Sequence, residues 1–364
     1  MNRQALLAAL SIAAPALGDD GTALPVLSHF CFEGDTLYAF NDIVCVVVGF
    51  ETGLNLGLHG ATLLGVLKAT RSEEVEVKVK GSVATITGAG KSELPVLPAA
   101  DFIFNIPDEE ELLSSALGEE IRKGIEACLV SVAADSLRPE YNGVTLRITK
   151  TGVQLFSTDN VSATRVELKG KLAGRKEAAL VLPKLAAELL LKLFSKEGTP
   201  RIRVTEKIAI VEFGGEPSVT LITKLLGTPS GKFDKVFADH EPKVLCELPE
   251  GIESEIEKAL VLTARDSPRE CFLMATVGEL VVSAGSVKSL GKMKSSLKLA
   301  EKKLIGAANV NPEYVKRALP FADKFALNDE RSLVFVDEAI GLTHIIAVVS
   351  TAKPAAEEDS TSGK

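Results

Sequence analysis

Apolar and polar positions change period several times along the chain, and each change marks an element. Ile121, Ile125, Cys128, Leu129 and Val132 recur at helical spacing and predict a helix over about 119–134. Two breaks follow, Arg138-Pro139 and Asn142-Gly143. Proline pushes the residue before it toward an extended conformation, and Asn-Gly tolerates positive φ. Val144 to Ile148 then alternates as a half-buried strand, Thr151-Gly152 turns, and Val153 to Phe156 returns toward Ser157-Thr158-Asp159. The predicted unit is an amphipathic helix, a loop and an antiparallel hairpin.

The same grammar recurs on either side. The first segment reads as a helix over 3–14, a strand through Phe32, a Gly34-Asp35 turn and a strand from Thr36 to Phe40. Asn41-Asp42 then holds the place that Thr158-Asp159 holds in the middle. A strand from Val44 to Gly49, a helix from His59 to Thr70, a hairpin around Gly81-Ser82 and the segment Leu94 to Phe102 complete it. The middle segment has its second helix from Pro183 and strands at Arg201–Thr205, Ile208–Phe213 and Val219–Leu226. The last has helices at 252–264 and from Pro312, and strands at 271–276, 279–283, 332–336 and 344–349. Second helices begin near 59, 183 and 312, a period of about 125 residues that suits a repeated domain and not a solenoid.

Each repeat must hide one sheet face and one stripe of each helix, which two helices on one side of an antiparallel sheet accomplish. The expected fold is therefore α+β: three similar domains at 1–115, 116–243 and 244–350, with 351–364 a disordered polar tail. An arc of three such domains leaves sheet edges open at both ends, and self-association into a ring removes them.

Composition narrows the function. A 364-residue chain with 46% apolar and 25% charged residues is globular, and a net charge of −8 argues against indiscriminate nucleic-acid binding. Five widely spaced cysteines read as reduced, buried side chains of a cytoplasmic protein. Residues 1–18 have an apolar centre after Arg3 and allow an alternative, an exported repeat-domain binding protein with a cleaved signal; the first reading is an amphipathic helix with Leu6, Leu7 and Leu10 inward.

Candidate chemistry is sparse. The four histidines are scattered, and no hydrolase or metalloprotease motif occurs, so no enzyme, cofactor or metal is called for. Gly88-Ala89-Gly90-Lys91-Ser92 lacks the first glycine of a phosphate loop and reads as a hairpin turn. Asp42 and Asp159 are best read as turn acceptors at strand ends, and Asp108 to Glu111 as a solvated linker. Arg3, Lys68, Arg71, Arg122, Lys123, Lys192, Lys196, Lys316 and Arg317 sit on predicted helices, outside the apolar stripes, with Arg138 on the central loop. If all six helices line one surface, these cations suit sequence-independent, salt-sensitive phosphate contacts. Lys288, Lys292, Lys294, Lys298, Lys302 and Lys303 form the densest basic run.

LRPEYNGVTL followed by LFSTD resembles the middle domain of the bacterial β sliding clamp, the processivity ring of the replicative DNA polymerase. ALPVLSHF and LPVLPAADF resemble signatures of its first domain, and NPEYVKRAL its last helix, in the right order over roughly residues 5–350. The resemblance implies a head-to-tail homodimeric ring around double-stranded DNA. It further implies a cytoplasmic, nucleoid-associated protein that tethers the polymerase and the clamp loader through short peptides. Carried over residue by residue, it implies a peptide pocket of Tyr141, Thr158, Asn160, Val161, Ala163, Gly231, Val236, Asn311, Tyr314, Ile345, Ala347 and Val349. It pairs Phe102, Phe104 and Ile106 with Val261 and Leu262 across the ring. Asn160-Val161-Ser162 stands where the family has glycine, histidine and arginine, Gly231 replaces a common proline, and the C-terminus lacks the usual methionine-rich end. These departures mark a divergent copy, of host or phage origin.

Overall fold

A computed structural model describes residues 1–21, 24–102, 110–116, 118–169, 177–194, 199–227, 229, 233–285, 289–301, 303–328 and 331–349. The chain forms two compact units: Met1–Ser157 with Glu167–Ser230, and Thr158–Val166 with Gly231–Lys364. The class is α+β, as expected.

The first unit carries two pairs of packed helices. Helix α1 (Arg3–Ala13) buries Leu6, Ala9, Leu10 and Ala13, and its Asn2 cap accepts the Ala5 N–H at 2.9 Å. This segment, open to a signal reading from sequence, is thus part of the core. It packs on α2 (Gly60–Ala69), whose exposed carbonyl end is met by Arg3: Nε donates to Ser72 O at 2.8 Å and Nη1 to Leu67 O at 3.2 Å. Helix α3 (Glu119–Leu129) buries Ile121, Ile125, Ala127 and Cys128, with Glu119 and Glu120 at its positive end. It packs on α4 (Lys184–Leu193), which buries Ala186, Ala187, Leu189 and Leu190.

The sheet of the first unit is antiparallel throughout. Glu76–Lys80, Val83–Thr87 and Lys91–Pro98 lead to Val44–His59, which also pairs with His29–Phe40. Beyond it lie Val219–Lys224, Ile208–Phe213, Arg201–Val204 and Leu113–Ala116. Strands from the first and middle repeats are therefore hydrogen-bonded neighbours, Val46 opposite Leu221. The central hairpin forms as expected, with Thr145 opposite Phe156 and Ile148 opposite Val153, and Ala178–Pro183 adds a third strand. Gly88 to Gly90 is a hairpin turn, its Gly88 N–H donating to Gly90 O at 2.9 Å.

Some local expectations change. The Gly34-Asp35 turn is an irregularity inside one long hairpin, because Gly34 and Gly53 both take positive φ (66° and 65°) and let the ladder resume at Thr36. Pro25–Ser28 is a short 3-10 turn ahead of the strand His29–Phe40. Phe102 is also not a surface residue. It is 7% exposed, edge-on to Tyr38 and Phe40, and lies over Gly57, where a Cβ would stand 2.3 Å from its ring. Only the missing side chain at Gly57 makes room for it.

The second unit holds α5 (Phe233–Asp239), α6 (Ile252–Leu262) and α7 (Pro312–Ala318). Helices α6 and α7 pack together over a core of Ile256, Ala259, Val315, Ala318, Phe325, Leu333, Phe335 and Ile346. One ladder runs Leu342–Ala347, Ser332–Asp337, Lys324–Asn328 and Cys246–Glu247, and residues 162–166 pair with Leu342–Ala347 on its other side. A second sheet orders Met293–Lys298, Glu279–Ala284, Cys271–Thr276 and Gly306–Val310. Its edge strand, Met293–Lys298, exposes Lys294 and Lys298, which discourages further pairing. The expected tail 351–364 lies outside the described residues.

Candidate functional site

In the second unit, the loop 158–162 is organised by one carboxylate. Asp159 Oδ1 accepts the N–H of Val161 at 3.0 Å and of Ser162 at 2.7 Å, and the Ser162 hydroxyl at 3.1 Å. Thr158 Oγ1 donates to Ser162 O at 2.7 Å and accepts the Asn160 N–H at 3.2 Å. Asn160 takes φ 73°, which asparagine tolerates better than most residues. In the first repeat it is Asn41, not Asp42, that plays this part: its Oδ1 accepts the N–H groups of Ile43 and Val44 at 2.9 Å. The side chain that counts is three residues before the strand resumes in both copies.

Around this loop the second unit gathers most of the expected peptide residues. Ala163 pairs with Ile345, and the Ala347 N–H donates to Val161 O at 2.8 Å. Helix α5 lies against the same strands: Phe237 stacks under the Arg165 guanidinium at 4.7 Å, and the His240 ring meets the Ser332 hydroxyl at 2.9 Å. Helix α7 is capped by Asn311, whose side chain accepts the Glu313 N–H at 3.0 Å, and burial with the Asp159 carboxylate nearby holds the Tyr314 hydroxyl's pKa up. Val161 and Val236 are exposed, Tyr314 and Val349 half-buried, and Ile345 and Ala163 buried. Ile345 and Ala163 thus underlie the region, while Val161, Val236, Ala347 and Val349 present apolar surface.

Tyr141 belongs to the first unit, on the turn Pro139–Tyr141, where Arg138 Nη1 donates to its hydroxyl at 2.8 Å and the guanidinium lies 5.4 Å from its ring. Gly231 lies outside the described residues.

The expected phosphate-binding cations differ in their surroundings. Lys68, Arg71, Lys123 and Lys192 are exposed. Arg122 is bound to Glu119 and Glu126 of its own helix, at 2.6 and 3.0 Å. Lys316 pairs with Glu257 at 2.8 Å, and Arg317 pairs with Glu313 and covers the Tyr314 ring at 5.6 Å. Arg3 is committed to the end of α2. Lys196 lies outside the described residues, as do Lys288 and Lys302 of the basic run.

No protein-family model matches the chain, and no curated protein sequence does. Solved structures do match. The DNA polymerase III subunit beta from Pseudomonas aeruginosa superimposes with a TM-score of 0.82 at 16% identity, covering 96% of this chain and 99% of that one. The beta subunit from Thermotoga maritima gives 0.81 at 14% identity over 97% and 99%, and the DNA polymerase sliding clamp from Bacillus subtilis 0.84 at 16% over 97% and 98%. The chain has the sliding-clamp fold.

Within that fold, the expected assembly residues separate. Val261 is 66% exposed on α6, whereas Leu262 is half-buried and faces Gly291. Phe102 is core, and Phe104 and Ile106 lie outside the described residues. Asp159 reads from sequence as a turn acceptor and is one, accepting N–H groups two and three residues on, whereas the stacking of Arg165 on Phe237 was missed. Sequence reasoning also missed Leu137, fully exposed beside Arg138.

The described residues hold no group of three His, Cys, Asp or Glu side chains placed to take a metal ion, and none of their helices is long and apolar enough to cross a membrane. All five cysteines are buried free thiols, and burial pushes Cys31 and Cys246 to about 11 and Cys45, Cys128 and Cys271 to about 12. His344 is buried, meets Thr164 Oγ1 at 2.8 Å, and is pushed down to about 3 by desolvation.

Proposed function

We propose that this chain is a DNA sliding clamp: a ring-forming scaffold that encircles duplex DNA and tethers a polymerase and other partners, without catalysis of its own. The observation that carries the reading is coextensive fold similarity. At least 96% of the chain superimposes on nearly whole clamp structures, so the likeness concerns the entire architecture and not one shared module. The three helix pairs support a reading as three domains, at about 1–115, 116–243 and 244–350. Two chains joined head to tail would close the ring, with Val261 at the joint. The exposed cations Lys68, Arg71, Lys123 and Lys192 suit phosphate contacts that hold DNA without reading sequence. No base-specific groove contact is needed for such a role.

Partners would dock in the second unit, on the surface formed by α5, the loop 158–162, α7 and the strand Leu342–Ala347. Val161, Val236 and Val349 offer apolar anchorage there, beside the polar edge of Asn160 and Thr158. The probe is a fluorescein-labelled peptide with a glutamine and a leucine–phenylalanine end, titrated by anisotropy. Saturable binding that Val349→Asp abolishes, with sizing unchanged, supports the reading. Equal affinity in both proteins would place the partner site elsewhere.

A further inference from the structure

We infer that the four-stranded sheet of the second unit carries, on its face turned away from α6, a docking surface for the chain's own segment 353–359. That segment lies outside the described residues, which end at Val349 on one edge of this sheet. There the Val349 N–H donates to Asn309 O at 2.7 Å, on the strand Gly306–Val310. From Asn309 one row of directly opposed residues crosses the sheet. Asn309 faces Phe272, Phe272 faces Ser283, and Ser283 faces Lys294 on the far edge strand. Neighbouring strands lie about 4.8 Å apart, so the row is about 14 Å long. Residues 350–357 can span up to about 26 Å, at roughly 3.3 Å each, and so can follow it with slack.

The row changes chemistry along its length. At the near end stands a carboxylate, Glu270, whose Oε2 accepts Asn309 Nδ2 at 3.0 Å. In the middle Phe272 is 41% exposed, with Met274 half-buried beside it on the same face. At the far end Lys292, Lys294 and Lys298 are all exposed. Glu279 stands opposite Lys298, whereas Lys294 stands opposite the uncharged Ser283, which makes Lys294 the cation best placed for an incoming acid.

The segment repeats that order. Lys353 is followed by Pro354-Ala355-Ala356 and then by Glu357-Glu358-Asp359. Pro354 favours an extended backbone at its own position and at Lys353. Extended, Lys353 and Glu357 stand about 13 Å apart, against about 10–14 Å from the strands of Glu270 and Asn309 to the strand of Lys294. Laid along the row, the segment sets Lys353 by Glu270, its three small apolar side chains over Phe272 and Met274, and its carboxylates by Lys294 and Lys292. A nucleic acid suits the face less well, because Glu270 and Glu279 repel phosphate. Screened surface ion pairs are weak one at a time, and the tether compensates. A segment held at the sheet's edge meets the face at an effective concentration on the order of millimolar.

All five native cysteines are buried, so introduced thiols can be followed by themselves. In the full chain, Ala356→Cys is combined with Ser283→Cys on the row, or with Glu253→Cys, an exposed site on α6 against the sheet's other face. Disulfide formation is timed in mild oxidant. Each rate is divided by that of the same single sheet or helix cysteine with glutathione disulfide, which removes differences in exposure. The Ser283 site should couple at least about tenfold faster than the Glu253 site, within one chain on a denaturing gel. Lys292→Glu with Lys294→Glu should remove that advantage, as should about 1 M salt, where the screening length falls to about 3 Å. Adding Glu357→Lys and Glu358→Lys to the reversed sheet should restore it. If the Ser283 variant melts early, Ser296→Cys, exposed on the far edge strand of the same face, takes its place with the same expectations. Equal normalised rates at the two sites, a rate indifferent to charge reversal, or a product that joins two chains would overturn the inference.

Discussion

Arg122 is gripped by Glu119, which presents both carboxylate oxygens to its guanidinium at 2.6–2.9 Å from one turn away on α3. Glu126 adds a fourth contact from the next turn, at 3.0 Å. A cation already neutralised on its own helix offers little to a passing phosphate. Lys123, its exposed neighbour, is the better candidate for a phosphate contact. Replacing Lys68, Arg71 and Lys123 by alanine should flatten the salt dependence of DNA affinity by about 0.9 in logarithmic slope for each lost phosphate contact. Arg122→Ala should change that slope far less. Fluorescence titrations of duplex DNA between low and moderate salt read both slopes, and an Arg122 effect equal to that of Lys123 would reverse the assignment.

The same pair sets an acid limit. The Arg122 guanidinium holds the Glu119 carboxyl below its ordinary value of 4.5 and is itself held up. A carboxylate depressed in the folded state contributes stability that is complete above the unfolded value and is lost as pH falls through the folded one. Acid fraying of α3 should therefore begin only below about pH 4.5 in the native chain, and Glu119→Gln should remove that pH dependence. Amide exchange of residues 121–125, followed from pH 6 to pH 3, measures it.

His344 makes a second, larger prediction of known sign. Folded, it resists protonation until about pH 3; unfolded, it titrates near 6.5. Between these values the unfolded chain binds a proton that the folded chain does not. Stability contributed by the neutral ring is full above pH 6.5 and declines below it, by up to about 1.4 kcal/mol per pH unit. Urea midpoints at pH 7.5, 6 and 5 should fall more steeply in wild type than in His344→Gln. Parallel slopes would show that the buried ring is already charged.

Assembly and core now separate at residues that were grouped together. Val261→Asp should leave the melting temperature nearly unchanged, because the side chain is 66% exposed, yet convert a dimer to monomer by burying a charge at the joint. Phe102→Ala should do the reverse, costing about 3–5 kcal/mol of stability through the cavity over Gly57. Light scattering and thermal melts on the two variants decide the matter.

Most of the architecture was legible because it rests on period. The stripe Ile121, Ile125, Cys128 and the apolar positions Val144, Leu146 and Ile148 are buried as their spacing required, although Thr145, expected on the exposed side of a half-buried strand, is buried as well. What sequence could not give was the neighbour in space. Phe102 reads as a surface aromatic until Gly57 is seen to leave a vacancy beneath it. Arg122 and Lys123 look equivalent until Glu119 and Glu126 prove to lie on the side of one and not the other. The loop 158–162 was legible as a turn, but the bond from the Ala347 N–H to Val161 O joins residues 186 apart in sequence and leaves no local signature. Gly34 was misread because a glycine–aspartate pair serves a bulge as well as it serves a turn.

A ring that encircles duplex DNA is held by topology, and topology can be cut. The protein, loaded onto a nicked circular plasmid by a clamp loader, should co-elute with the DNA through gel filtration at a salt concentration that abolishes ordinary phosphate contacts. A single restriction cut should then release it. Release on linearisation, with retention on the uncut circle, is expected of an encircling ring; equal retention on circular and linear DNA, or on neither, would exclude one.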